Sequence, residues 1–77
     1  MKKEILRFWQ VCGAYHFYHE DYVISYSSYE RAKEQFDHNS CTDDETTLKE
    51  WVVLEEDGII DFDIIVLERK RKNESYH

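Results

Sequence analysis

Seventy-seven residues suffice for one domain with a modest core, and small domains of this size usually need a staple such as a disulfide, a metal or a partner subunit. The chain has no proline, two glycines, 16% aromatic residues and a formal net charge of −7, a composition that excludes a disordered acidic tail, which would be poor in aromatics. No run approaches the length of a transmembrane helix, and Met1–Glu4 does not lead into the apolar stretch of a secretion signal. A cytoplasmic protein with Cys12 and Cys41 reduced is therefore expected.

In chain order, Glu4 to Tyr18 reads as a first strand, perturbed at Gly13-Ala14 by a bulge or a close packing point. His19-Glu20-Asp21 is a polar turn, and Tyr22–Tyr26 a second short strand that completes a hairpin. Ser27 with Glu30 three residues on fits a capping box, and Tyr29, Ala32 and Phe36 recur on one face of a helix ending near His38-Asn39. Ser40–Thr47 reads as an exposed loop carrying Asp43-Asp44-Glu45. Leu48–Glu55 and Ile59–Arg69 are the third and fourth strands, joined through Asp57-Gly58, a strong short-range hairpin signal.

This order predicts an α+β domain over residues 1–69, a four-stranded antiparallel sheet in ββαββ order with one helix on one face. Residues 70–77 are expected to be a basic tail. One helix covers only one face of such a sheet. Ile60, Phe62, Ile64 and Val66 form an unbroken apolar face of the fourth strand, while its other face runs from Asp61 and Asp63 to Ile65 and Leu67. Trp9, Ile65, Leu67 and one of Trp51 or Val52 are the candidates for an uncovered apolar face, which a homodimer or another partner would cover.

Chemistry finds little purchase. A nucleophile needs an oriented base beside it, and only Cys12 or Cys41 with His16 or His38 offers that, without a glycine-rich nucleophile turn. Cys12, His16, His19 and Cys41 are ligand types that zinc accepts, but their spacing matches no specific finger pattern. The expectation is a binding protein without catalytic activity, cofactor or metal, with a small Cys/His metal protein as a minor alternative.

The acidity is uneven. Met1–Arg7 and Glu68–His77 each carry +2, whereas Phe8–Leu67 carries −11. Such a field repels nucleic acid and attracts basic surfaces. The acids gather at Asp43, Asp44 and Glu45, at Glu55, Glu56 and Asp57, and at Asp61 and Asp63. Two carboxylates two residues apart on a strand repeat at about 6.6 Å, on the length scale of a phosphate backbone.

On these features the chain resembles, in size and character, small acidic phage-encoded inhibitors, including DNA-mimic host-takeover proteins and anti-CRISPRs. The resemblance implies a homodimeric DNA mimic in the host cytoplasm that occupies the nucleic-acid site of a basic protein. An HU-type nucleoid protein suits a doubled acidic row best, with RNA polymerase or a CRISPR or restriction nuclease as other targets. The alternative is a protein-interaction module that binds through an aromatic sheet face or a sheet edge.

Overall fold

The computed structural model describes residues 1–14 and 21–71. They form β1 (Lys3–Ala14), β2 (Tyr22–Tyr26), α1 (Tyr29–Asn39), β3 (Glu45–Glu56) and β4 (Ile59–Arg71). The four strands make one antiparallel sheet in the order β2-β1-β3-β4, with α1 carried in the connection from β2 to β3. The expected α+β class and ββαββ order are what the chain adopts. Residues 15–18 of the expected first strand and the turn at 19–20 lie outside the described residues, as does the tail from residue 72.

Several boundaries move. The helix is capped by Ser28, not Ser27: Ser28 keeps an extended backbone and its hydroxyl accepts from the Arg31 amide at 3.4 Å. Strand β3 starts at Glu45, because Ala14, Gly13 and Cys12 pair with Glu45, Thr46 and Thr47 and absorb the end of the expected loop. Strand β4 runs on to Arg71, held by pairing of Arg71 with Glu45 and Lys70 with Thr46, so the first two residues of the expected tail belong to the sheet. Asp57-Gly58 forms the predicted tight hairpin, with both residues at positive φ (53° and 82°).

The core is small: Val11 of β1, Leu48 of β3, and Ala32 and Phe36 of α1 are buried together, with Trp9, Tyr22 and Tyr26 packed around them. Tyr29, the third member of the expected helical stripe, lies at the margin and meets Trp9 edge-on at 6.2 Å between ring centroids. Gly13 is the close packing point: a Cβ there would clash with the phenol end of Tyr22, at both Cζ and the hydroxyl oxygen.

Helix and sheet are badly matched in length. Eleven helical residues span about 16 Å, whereas the twelve of β3 span about 40 Å. The helix packs on β1, β2 and β3 around the core, and the far halves of β1, β3 and β4 run on beyond it, giving extents of 50 × 23 × 19 Å.

Candidate interaction surface

Strand alternation and the observed register assign every side chain to a face. Val11 and Leu48 pair across β1 and β3 and point at the helix. Counting from them, Trp9, Glu50 and Ile65 also lie on the helix side, as do Asp61 and Asp63, which pair with Leu54 and Val52. The other face carries Leu6 and Phe8 from β1, Trp51 and Val53 from β3, and Ile60, Phe62, Ile64 and Val66 from β4.

The second face is an apolar strip. Phe8 stacks on Trp51 at 5.6 Å between ring centroids with 13° between planes, and Phe62 meets Trp51 edge-on at 5.8 Å. The rings thus run across three strands. Leu6 is 54% exposed, Phe62 56% and Ile64 50%. Only the interior of the strip is shielded, with Val53 buried beneath its neighbours and the Trp51 Nε1 donor buried without an acceptor among the described residues. By strand spacing and rise, three strands by seven residues give a footprint of roughly 14 by 23 Å, about 320 Å² before side-chain relief. That is the size of the largest apolar patch on a typical monomer, a patch that is often functional. No described element covers it.

Of the residues expected to share an uncovered face, Trp9, Ile65 and Val52 lie together on the helix side and Trp51 lies on the other face. Trp9 packs toward the helix, where its Nε1 donates to Glu50 Oε1 at 3.0 Å, and Trp51 faces the opposite way. Ile65 shares the helix side with Trp9, at 48% exposure. Leu67 sits at the β-bulge where the register shifts between Leu48 and Lys49, and pairs with no residue of β3. The residues that do assemble the apolar strip are Ile60, Phe62, Ile64 and Val66, read in the sequence as one unbroken apolar face of the fourth strand, together with Leu6, Phe8 and Trp51. No local signal in the sequence says which face of β4 the helix covers, since both faces carry apolar residues.

The expected acidic groups are scattered, and most of them are engaged. Asp43, expected on an exposed loop, is 3% exposed and accepts from the Tyr22 hydroxyl, which in turn accepts from Asn39 Nδ2 at 2.6 Å. The half-buried phenol packed against Gly13 finds its acceptor in Asp43. Asp44 is half-buried and its amide donates to the Ala14 carbonyl. Glu45 pairs with Arg71 at 2.5 Å. Glu55 accepts from the Gly58 amide at 2.9 Å, Glu56 meets the N-terminal ammonium, and Asp61 lies 3.3 Å from Lys2. Asp57 and Asp63 are exposed.

Elsewhere on the helix side, Arg7 bridges Glu4 and Glu50 at 2.6 and 3.1 Å. Its hydrogen bond, more than its charge, holds the Glu4 carboxyl below the ordinary carboxylate value, and Glu4 raises the Arg7 guanidinium in return. Lys33 is raised by its hydrogen bond to Glu68, then by that to Asp37. These exposed pairs are surface ion pairs of modest worth. Charge is nevertheless unevenly divided between the faces: Lys3, Lys49, Arg69 and Arg71 lie on the apolar face with Glu45 and Glu55, whereas Glu4, Glu50, Asp61, Asp63 and Glu68 lie on the helix side with Arg7 and Lys70.

Among the described residues, no three His, Cys, Asp or Glu side chains are grouped to hold a metal ion, and no helix is long and apolar enough to cross a membrane. Cys12 is buried and Cys41 exposed. His16 and His19 lie outside the described residues. No protein-family model, curated protein or solved structure matches the chain.

Proposed function

We propose that the chain is a protein-interaction module that binds its partner through the sheet face turned away from the helix. The observation that carries this reading is the apolar strip of Leu6, Phe8, Trp51, Phe62 and Ile64, uncovered by any described element. A standard interface buries about 800 Å² per partner, so the strip serves as the apolar centre of the contact. Lys3, Lys49 and Arg69 at its margins favour a partner whose apolar surface is flanked by acids.

A second reading, an acidic inhibitor that mimics DNA for a basic host protein, is supported by Asp57, Asp61 and Asp63, which are exposed near the tip of the β3–β4 hairpin. It rests on fewer acids than the composition suggested.

One experiment separates the two. Immobilised wild-type chain, Leu6→Glu and Asp61→Asn/Asp63→Asn are used to capture proteins from bacterial lysate, and the captured partner is titrated against each in low and high salt. The apolar-face reading expects binding that survives salt and the double neutralisation but is lost with Leu6→Glu. Binding that Leu6→Glu leaves intact, and that salt or neutralisation abolishes, overturns it in favour of the acidic inhibitor.

A further inference from the structure

We infer that the apolar strip packs face to face on the same strip of a second copy, with the strands of the two copies running antiparallel. This rests on the reading of that face as the binding surface and names its partner. Leu6, Ile60, Phe62, Ile64 and Val66 are each 47–56% exposed. The core beneath α1 amounts to Val11, Ala32, Phe36 and Leu48. A chain with so small a core is stabilised by covering the strip, and a copy of itself is the one partner present wherever the chain is.

The charges at the two ends of the strip fit a second copy in one orientation. The row of side chains nearest the β3–β4 turn is Lys3, Glu55 and Ile60, and the row at the other end of the strip is Gln10, Lys49 and Val66. Two apolar rows, centred on Val53 and Trp51, lie between them. A two-fold axis across the strands, midway between Val53 and Trp51, lays each copy's end row on the opposite end row of the other. Glu55 then faces Lys49, twice by symmetry. Ile60 faces Val66, Lys3 faces the uncharged Gln10, and the apolar rows cover each other. Arg69, in the next row along, comes under the other copy's Asp57-Gly58 turn, and Glu45 and Arg71, already paired, fall outside the contact. Glu55 and that turn are thus the acids that flank the strip. Aligned sheets pack about 10 Å apart and within about 30° of each other, a gap that facing Glu and Lys side chains span. An axis along the strands, with β3 on β3, would instead set Glu55 against Glu55 and Lys49 against Lys49, which like charge opposes. Sliding that arrangement sideways until Lys3 meets Glu55 takes Ile60, Phe62 and Ile64 off the partner sheet. The footprint of about 320 Å² before side-chain relief falls short of the roughly 800 Å² of a standard partner surface, so a dissociation constant in the micromolar range or weaker is expected.

The test is sedimentation equilibrium from micromolar to hundreds of micromolar chain, on wild type, Leu6→Glu, Lys49→Glu and Lys49→Glu/Glu55→Lys. Wild type is expected to dimerise as concentration rises. Leu6→Glu, which puts a carboxylate in the apolar centre, is expected to stay monomeric. Lys49→Glu is expected to dissociate about ten-fold more readily, because attraction becomes repulsion at two symmetric places. The double variant restores opposite charges at both and is expected to recover the wild-type constant. Dilution of isotope-labelled wild type, followed by NMR, needs no variant. The indole signal of Trp51 should move with concentration, and that of Trp9, bonded to Glu50 on the helix side, should not. A monomeric wild type overturns the second copy as partner, and the face itself keeps its role where capture from lysate is still lost with Leu6→Glu. A dimer that Leu6→Glu leaves intact, or one that moves the Trp9 signal and not that of Trp51, places the contact elsewhere and overturns the inference. A Lys49→Glu dimer as tight as wild type, or a double variant that folds by circular dichroism and fails to recover, overturns the antiparallel packing.

Discussion

The Tyr22 ring occupies the space that a side chain on Gly13 would fill, and Gly13 and Tyr22 are paired residues of neighbouring strands. The Tyr22 hydroxyl is in turn tied to Asp43 and Asn39, so the ring has no easy direction in which to yield. Gly13→Ala is therefore expected to destabilise the fold by at least about 2 kcal/mol, at the upper part of the range for overpacking. Urea unfolding followed by tryptophan fluorescence measures it. An unchanged midpoint would show that the ring moves aside.

Tyr22→Phe keeps the ring and removes the hydroxyl. It leaves the buried Asp43 carboxylate without its donor from Tyr22, although Thr42 Oγ1 remains 3.3 Å away. The expected cost is about 1–3 kcal/mol, the penalty for a stranded buried polar group. Paired with Asp43→Ala in a double-mutant cycle, the two losses should be strongly non-additive. Additive losses would place the stabilising role of Asp43 elsewhere.

Phe36 is fully buried among Val11, Ala32 and Leu48, and the ammonium groups of Lys33 and Lys70 lie 5.2 and 5.5 Å from its ring centroid. Phe36→Ala removes the largest side chain of a four-residue core. A loss of about 3–5 kcal/mol is expected, enough to leave much of so small a domain unfolded. Circular dichroism at room temperature should show a weakened or absent cooperative transition. Retention of the wild-type melt would contradict the core assignment.

Gly58 sits at φ 82° in the β3–β4 turn with open space where a Cβ would go. Gly58→Ala is strained by backbone conformation alone, at a cost of about 1 kcal/mol. The effect should be local, seen as faster amide exchange at Glu56 and Ile59 with the core amides unchanged. Equal acceleration throughout would mean that the hairpin and core unfold as one unit.

The Glu4 carboxyl is held below its ordinary value by Arg7. A folded-state value lowered in this way adds stability above the unfolded-state value and loses it as pH falls through the folded one. In an NMR titration Glu4 is expected to ionise below the usual glutamate range, and Arg7→Gln should move it upward. A Glu4 titration unaffected by Arg7→Gln would mean that the pair does not form in solution.

The order of elements could be read from local patterns. Helical spacing of Ala32 and Phe36, alternation in Ile59–Val66 and the Asp57-Gly58 turn are short-range signals, and each marks an element that forms where it was expected. Boundaries that moved did so through long-range pairing: Glu45–Thr47 joined β3 because Cys12, Gly13 and Ala14 lie opposite, and Lys70 and Arg71 joined β4 because Thr46 and Glu45 do. The surface was harder to read. Alternation divides β4 into two faces but does not say which one meets the helix, and both offered apolar residues. That choice follows from the path and hand of the β2–α1–β3 crossover, which turns Val11 and Leu48 toward Phe36 and leaves Trp51 and Phe62 outside. The composition likewise displayed the acids without showing that Asp43 lies inside or that Glu45, Glu56 and Asp61 have cationic neighbours. By itself the sequence determined the class of fold, the succession of strands and helix, and an excess of acid over base, because these depend on residues near one another in the chain. The tertiary structure alone decided which apolar residues stay exposed and which charges are matched, because both depend on what the register sets opposite them.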